Sequence, residues 1–316
     1  MSARQLVLHA DDLGMNQAVT DGILRGFRQG LLTSTSLLAN APDAIRALSQ
    51  WKELTTDRAA GRLPSADVRR RLGDTDCPFD LGVHLNLTQG RPLCGDRYPA
   101  ELLDSEGRFP GVFSLFTKLW RSRDKFRAAI RDQWQRQIKV VCDHGLRPTH
   151  LNGHQYVEML PIAADIVPEL MERFAIKTVR VAWEPALLRN TALRGFAIAK
   201  WPLAQVKHVF AANFRTLIDA RRIAHPDVFF GTAHAGGVDL RLLRRFLASS
   251  PSRRLVEVGL HPGEAASETL PEDRADGWRD PLAAMRPREL QMLVSDELPR
   301  CLESSGWRLG RLQLPS

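Results

Sequence analysis

Gln5-Leu-Val-Leu-His-Ala10, Asn16 to Gly30 and Leu31-Leu-Thr-Ser-Thr-Ser-Leu-Leu-Ala39 are the consecutive stretches that decide the fold class. The first is short, apolar and β-prone. The second carries spaced apolar residues at Ala18, Val19, Ile23 and Phe27 and is stopped by Gly30, which predicts a helix. The third predicts another buried strand, with a helix following near the turn Asn40-Ala-Pro42. Strand, helix, strand in that order is the β-α-β unit of a parallel sheet.

The alternation continues outward. Asp80 to Leu87 resumes a strand, Phe126, Ile130, Trp134, Ile138 and Val141 mark one helix face ended by Gly145, and Pro148 to Asn152 is a compact strand. A helix opened by proline runs from Pro161 to Phe174. Strands at Thr178 to Ala182, Val228 to Gly231 and Leu255 to Leu260 then alternate with helices at Leu203 to Arg222, Leu240 to Ser249 and Leu282 to Glu303. Two stretches break the pattern. Residues 52–78 are polar and rich in Arg, Asp and Gly, and read as an excursion between core elements. Residues 89–119 carry Gly, Pro and Phe in irregular order, and read as a long loop over the mouth of the fold. With no low-complexity linker, residues 1–316 read as one α/β domain, an irregular (β/α) barrel of about seven parallel strands.

The 316-residue length suits that reading, because such barrels run to roughly 250 residues before insertions. A composition 44% hydrophobic and 25% charged excludes a disordered or collagen-like chain. The four cysteines, Cys77, Cys94, Cys142 and Cys301, are too far apart in sequence for a Cys-x-x-Cys pair or a zinc ribbon, which fits a reducing cytoplasm. Before Asp11 there is only the apolar stretch Leu6 to Ala10, too short for a signal sequence, and no run of 18 apolar residues follows. The expectation is a soluble, cytoplasmic protein. The net charge of +8 comes from scattered arginine pairs and the triplet Arg69 to Arg71, without interleaved aromatics, so a solvated basic surface is favoured and no nucleic-acid partner is expected. Peripheral membrane contact and homo-oligomerisation stay open.

The groups able to do chemistry collect at strand ends. His9, Asp11 and Asp12 follow the first strand, His84 closes the third, His150 and His154 flank the next, His234 follows a later one and His261 ends the last. In a parallel barrel the loops after the strands converge on one face. Only His144, His208 and His225 fall outside the pattern. Asp11-Asp12 is readable as a helix cap, but adjacent acids at a strand end repel unless a cation or proton separates them, so metal or acid–base work is favoured. His84 alternates with apolar residues and could be a core histidine or a ligand. For His150 a structural or supporting role is favoured, for His154 a ligand role, and for His261 an acid or orienting role; His234 is evenly balanced. One carboxylate and two imidazoles suit a hard-to-borderline divalent ion with positions left for water and substrate, and that chemistry supports hydrolysis of an amide or ester. There is no Gly-x-Ser-x-Gly elbow, Walker loop or Gly-x-Gly-x-x-Gly after the first strand.

Leu8-His-Ala-Asp-Asp-Leu-Gly14, Leu32-Thr-Ser-Thr-Ser36, Gly82-Val-His-Leu-Asn-Leu-Thr88, Pro148-Thr-His-Leu-Asn-Gly-His154 and Val256-Glu-Val-Gly-Leu-His-Pro-Gly263 together resemble the YdjC-like carbohydrate deacetylases. The resemblance runs from about residue 5 to residue 312. It implies a polysaccharide-deacetylase-like barrel and metal-dependent removal of acetyl from an N-acetylated amino sugar or glycoconjugate. It further implies Asp12, His84 and His154 as ligands of one divalent ion, Mg²⁺ or Zn²⁺, Asp11 as general base, His261 as the acid, and Arg286 near the site. His150, Asn152 and His234 are then expected to support ligands or substrate, and residues 89–119 to shape the sugar site. His9, Asn152, Tyr156 and Glu158 depart from the family pattern, which commonly has asparagine, aspartate and further histidines there. A barrel phosphoesterase or nuclease, which would need more carboxylate ligands, and a non-catalytic carbohydrate-binding protein are the alternatives.

Overall fold

The structure is a computed structural model that describes residues 4–74, 78–121, 125–185, 197–250, 254–265 and 276–312; Cys77 and Arg253 lie outside them. Seven parallel strands form one sheet: β1 (Gln5–Leu13), β2 (Ser34–Leu37), β3 (Asp80–Leu85), β4 (His150–Gly153), β5 (Thr178–Val179), β6 (Val228–Phe230) and β7 (Leu255–Leu260). Their order is β5-β4-β3-β2-β1-β7-β6, and the eighth strand β8 (Arg308–Leu309) pairs with Gln5 and Leu6 of β1. The sheet curls until its outer strands approach. Thr178 bridges Ala224, and the Phe229 N–H donates to the Trp183 carbonyl at 3.3 Å. This is the barrel-like α/β architecture expected from the alternation of elements.

Helices cross between the strands as parallel connection requires. The helix Gln17–Arg28 starts where the Asn16 side chain accepts from the Val19 N–H at 2.9 Å, and Asp239 caps Leu240–Ala248 in the same way. Among the described residues no helix is long and apolar enough to cross a membrane. The strands are buried along almost their whole length, as sheet covered on both faces must be.

Four segments differ from the sequence expectation. The helix expected from Pro161 to Phe174 is two, Pro161–Ala164 and Ile166–Arg173, parted at Asp165 because Pro168 lacks an N–H and would clash with the Ala164 carbonyl in one continuous helix. Residues 282–303 form two helices, Arg286–Leu293 and Glu297–Ser305, where one was expected. Pro299 lacks an N–H and would clash with the carbonyl four residues back, so it fits only in the first turn of a new helix. Residues 89–119 are irregular only as far as Gly111, and Val112–Arg121 is a helix. Residues 52–78 begin as the last turns of the helix Ala44–Ala59 and continue into a short helix, Ala66–Arg71. This polar stretch reaches the interior. Buried Arg69 donates to Asp74 at 2.8 Å and to the carbonyls of Phe27, Gly30 and Leu32, while Arg58 and Arg311 also pair with Asp74 around the Phe79 ring. Arg180 and Arg286 are buried as well, so part of the positive charge works inside the fold.

The first strand carries the irregularity that builds the site. Ala10 is level with Thr35 and Leu13 with Leu37, so β1 spends one residue more than β2 over this interval. That is a β-bulge, and Asp12 sits in it with φ 71°. In a regular strand Asp11 and Asp12 would face opposite sides. The bulge turns both toward the same cleft.

Candidate metal centre

At the carboxyl ends of the strands lies a cleft of about 670 Å³. Asp11, Asp12, His84, His154, His261 and Arg286 all line it, although they come from five separate parts of the chain. Asp12, His84 and His154 each offer a ligand atom, and these atoms lie within 4.8 Å of one another. Among the described residues no other group of three such side chains could hold a metal ion.

The ring orientations fit a cation. The His84 Nδ1–H donates to Asn152 Oδ1 at 2.9 Å, because the Asn152 amide nitrogen is committed to Asp11 Oδ1 at 3.0 Å. This fixes the tautomer and leaves His84 Nε2 bare, 3.6 Å from Asp12 Oδ1. His154 Nδ1 lies 3.1 Å from the same oxygen, and its buried Nε2 has no hydrogen-bond partner. Burial pushes the His84 imidazole down to about 4, opposed by the Asp11 charge, so the ring is neutral at pH 7 as a ligand must be. For Asp12 burial alone would raise the carboxyl, but the Arg286 guanidinium and the His154 hydrogen bond outweigh it and hold the group well below the usual carboxylate range. Arg286 donates to Asp12 Oδ2 at 2.8 Å and grips both oxygens of Asp280, which leaves Asp12 Oδ1 turned to the imidazoles.

Asp11 is held differently. Its Oδ2 accepts from Arg180 at 2.8 Å, its Oδ1 accepts from Asn152 and lies 3.1 Å from His9 Nε2, and Arg180 in turn pairs with Glu257. Burial works to raise this carboxyl too, and Arg180, His84 and His9 overcome it, so Asp11 is ionised. His261 reaches across with Nε2 at 3.8 Å from Asp11 Oδ2, and its backbone N–H donates to the buried Glu289 carboxylate at 2.5 Å.

The other expected residues fall outside the cleft lining. Asn152 lies beneath the centre as the link between Asp11 and His84. His150 is fully buried against β3, where Gly82 is required because a Cβ there would collide with the imidazole ring. His234 packs edge-on to Phe246 at 5.8 Å while its neighbours Thr232 and Ala235 line the cleft. The sequence reading missed Arg180, Glu257 and Glu289. The first two had a readable signal, since a single charge of each sign interrupts the apolar strands Thr178-Val-Arg-Val-Ala182 and Leu255-Val-Glu-Val-Gly-Leu260.

Glu158 is fully buried and packed against Gly153. Burial pushes its carboxyl up to about 8 from 4.5. Between about pH 4.5 and 8 the unfolded chain has released this proton while the folded chain still holds it, so the group lowers stability as pH rises through that window. Glu158→Gln, uncharged at every pH, is expected to remove this slope and to melt higher than the parent at pH 8. Equal pH dependence of melting in both proteins would contradict it.

The sequence model of the family described as "YdjC-like protein" matches residues 5–304. Carbohydrate deacetylase from Clostridium beijerinckii is 29% identical over 54% of this chain and 58% of its own length. Carbohydrate deacetylase from Danio rerio is 28% identical over 78% of this chain and 71% of its own. The chain thus spans about three fifths of the length of the bacterial relative and more of the fish one. In fold it is similar to a crystal structure from Enterococcus faecalis V583, described provisionally as a cellobiose-phosphate cleavage protein, with a TM-score of 0.66 at 20% identity over 99% of this chain and 98% of that one. With a family match covering nearly every strand and all the cleft residues named above, the chain belongs to the YdjC-like protein family.

Proposed function

We propose that the protein is a metal-dependent hydrolase that removes the acetyl group from an N-acetylated amino sugar or glycoconjugate. The observation that carries this reading is the convergence of Asp12, His84 and His154 beside an ionised Asp11, with His261 across the cleft. The relatives named carbohydrate deacetylase support the substrate class. Three ligands and no second cluster among the described residues speak against a phosphoesterase with two or three ions.

A divalent ion on Asp12, His84 and His154 supplies Lewis acidity toward the acetyl carbonyl. The chain's own residues do the rest. Asp11 accepts the proton of the attacking water at its carboxylate, while Arg180 and Asn152 keep that carboxylate in place. His261 delivers a proton to the amine nitrogen as the carbon–nitrogen bond breaks, and Glu289 holds its backbone in position. Acetate and a free amine result. Arg286 keeps Asp12 oriented and balances its charge.

The test is metal analysis of protein purified without chelator, coupled to an acetate assay over a panel of amino sugars and a phosphodiester control. One divalent ion per chain is expected, with acetate release from the sugars alone, lost on chelation and restored by added metal. Full activity after verified metal removal, or cleavage of the phosphodiester instead, would overturn the reading.

A further inference from the structure

Among the described residues two glutamines line the metal cleft, and only one of them is held. Gln155 is exposed, and no hydrogen bond among the described residues fixes its amide. Gln89 is 8% exposed and bound on every side. Its backbone N–H donates to Asn86 Oδ1 at 3.2 Å, and its carbonyl accepts from Asn86 Nδ2 at 2.8 Å and from Asn40 Nδ2 at 3.0 Å. Asn86 is clamped in turn, because its backbone N–H and carbonyl both pair with the Gln137 amide on the helix Arg127–Asp143, at 2.9 and 2.7 Å. Gly90 then turns with φ 74°, and a Cβ there would lie 2.6 Å from Trp278 Nε1. The chain after Gln89 therefore packs directly on the segment that carries Arg279.

That packing fixes the side chain as well. The Arg279 N–H donates to Gln89 Oε1 at 3.3 Å. Turned over, the amide would set its own N–H groups against that N–H, so the backbone opposite dictates its orientation. Every polar atom of Gln89 except Nε2 is now occupied. Nε2 has no acceptor among the described residues, and the residue lines the cleft. An amide NH₂ donates and does not accept, so its partner is an acceptor oxygen brought by the ligand. A donor immobilised in this way has already given up its chain freedom before the ligand arrives.

We propose that Gln89 is a substrate-binding residue whose Nε2 donates to a ring hydroxyl of the acetylated sugar. It is then specificity-determining, since a sugar lacking that hydroxyl leaves the buried donor without a partner. The proposal rests on the deacetylase reading and deepens it. With the acetyl carbonyl taken by the metal centre, the hydroxyls are the acceptors that remain on the ring carbons for a neutral donor elsewhere in the cleft.

The experiment measures kcat/KM for methyl N-acetyl-β-glucosaminide and its 3-, 4- and 6-deoxy analogues, with the parent and with Gln89→Met, which keeps the length of the side chain and removes the amide. Loss of one neutral hydrogen bond from a buried site predicts a fall of about 5- to 50-fold for the variant on the full glycoside, and a similar fall for the parent on one deoxy sugar. On that deoxy sugar the parent and the variant should agree within about twofold, because residue and hydroxyl form the two arms of a double-mutant cycle. The metal content should not change. A variant that merely loosens the loop loses on all four sugars alike. That result, or parental kcat/KM on the full glycoside, would overturn the proposal. Gln89→Leu repeats the comparison if Gln89→Met does not fold. If the parent releases acetate from none of the four, the deacetylase reading fails on this probe, and calorimetric binding to the metal-loaded protein decides the role of Gln89 by itself. Tighter binding of the full glycoside by the parent than by the variant, with the difference gone for one deoxy sugar, supports the assignment, and equal binding or none overturns it.

Discussion

Asp12→Asn is expected to empty the metal centre and to take turnover with it. Asp12 supplies the only carboxylate of the triad, and its Oδ1 faces both imidazoles, at 3.6 Å from His84 and 3.1 Å from His154. An amide oxygen carries no full charge and is a far poorer donor to a hard cation. The loss should exceed the about 10- to 100-fold in metal affinity that removing a mere supporting partner costs. The fold should survive, because Arg286 keeps both oxygens of Asp280 when Asp12 loses its charge. A metal titration, an acetate assay and a melting curve of the metal-free protein separate the effects. A variant that binds the ion as the parent does would show that Asp12 is not a ligand.

The order of elements was legible because burial imposes periodicity. The helix face from Phe126 to Val141 shows it directly, whereas β7 at Leu255–Leu260, buried at every residue, was read from its short, mainly apolar run, and the collection of histidines and acids at strand ends follows from barrel geometry. What escaped the sequence depends on partners far away in the chain. Nothing near Arg69 announces that it will be buried, since the carbonyls of Phe27, Gly30 and Leu32 that accept from it come from another connection. The bulge at Asp11–Asp12 is invisible for the same reason, as it exists only relative to β2. The helix Val112–Arg121 was different. Val112, Leu115, Phe116 and Leu119 have helical spacing, and the nearby glycines and prolines masked a signal that was present. His150 and His234 show the converse limit: a histidine at a strand end can turn away from the cleft, and only its packing against Gly82 or Phe246 reveals this.

Asp11→Asn and His261→Ala should keep the ion and lose about 10²- to 10⁴-fold in kcat, the usual contribution of a positioned acid or base. The environment of Asp11 makes the first of these demanding. Its carboxylate accepts from Arg180 and from the Asn152 amide, whereas an asparagine side chain has one accepting oxygen and brings two N–H groups. If that oxygen goes to Arg180, the new amide faces the amide nitrogen of Asn152, and relief requires Asn152 to turn over. Turning Asn152 would withdraw the acceptor that fixes His84 Nδ1, a supporting contact worth at most about 100-fold in metal affinity. kcat for Asp11→Asn must therefore be read at saturating metal, where that secondary effect vanishes and loss of the base does not. His261→Ala has no such complication, because Glu289 still accepts from the backbone N–H at position 261. Full turnover by both variants at saturating metal would place the chemistry elsewhere. Loss of the ion from Asp11→Asn with retention by Asp12→Asn would reverse the roles of the two aspartates.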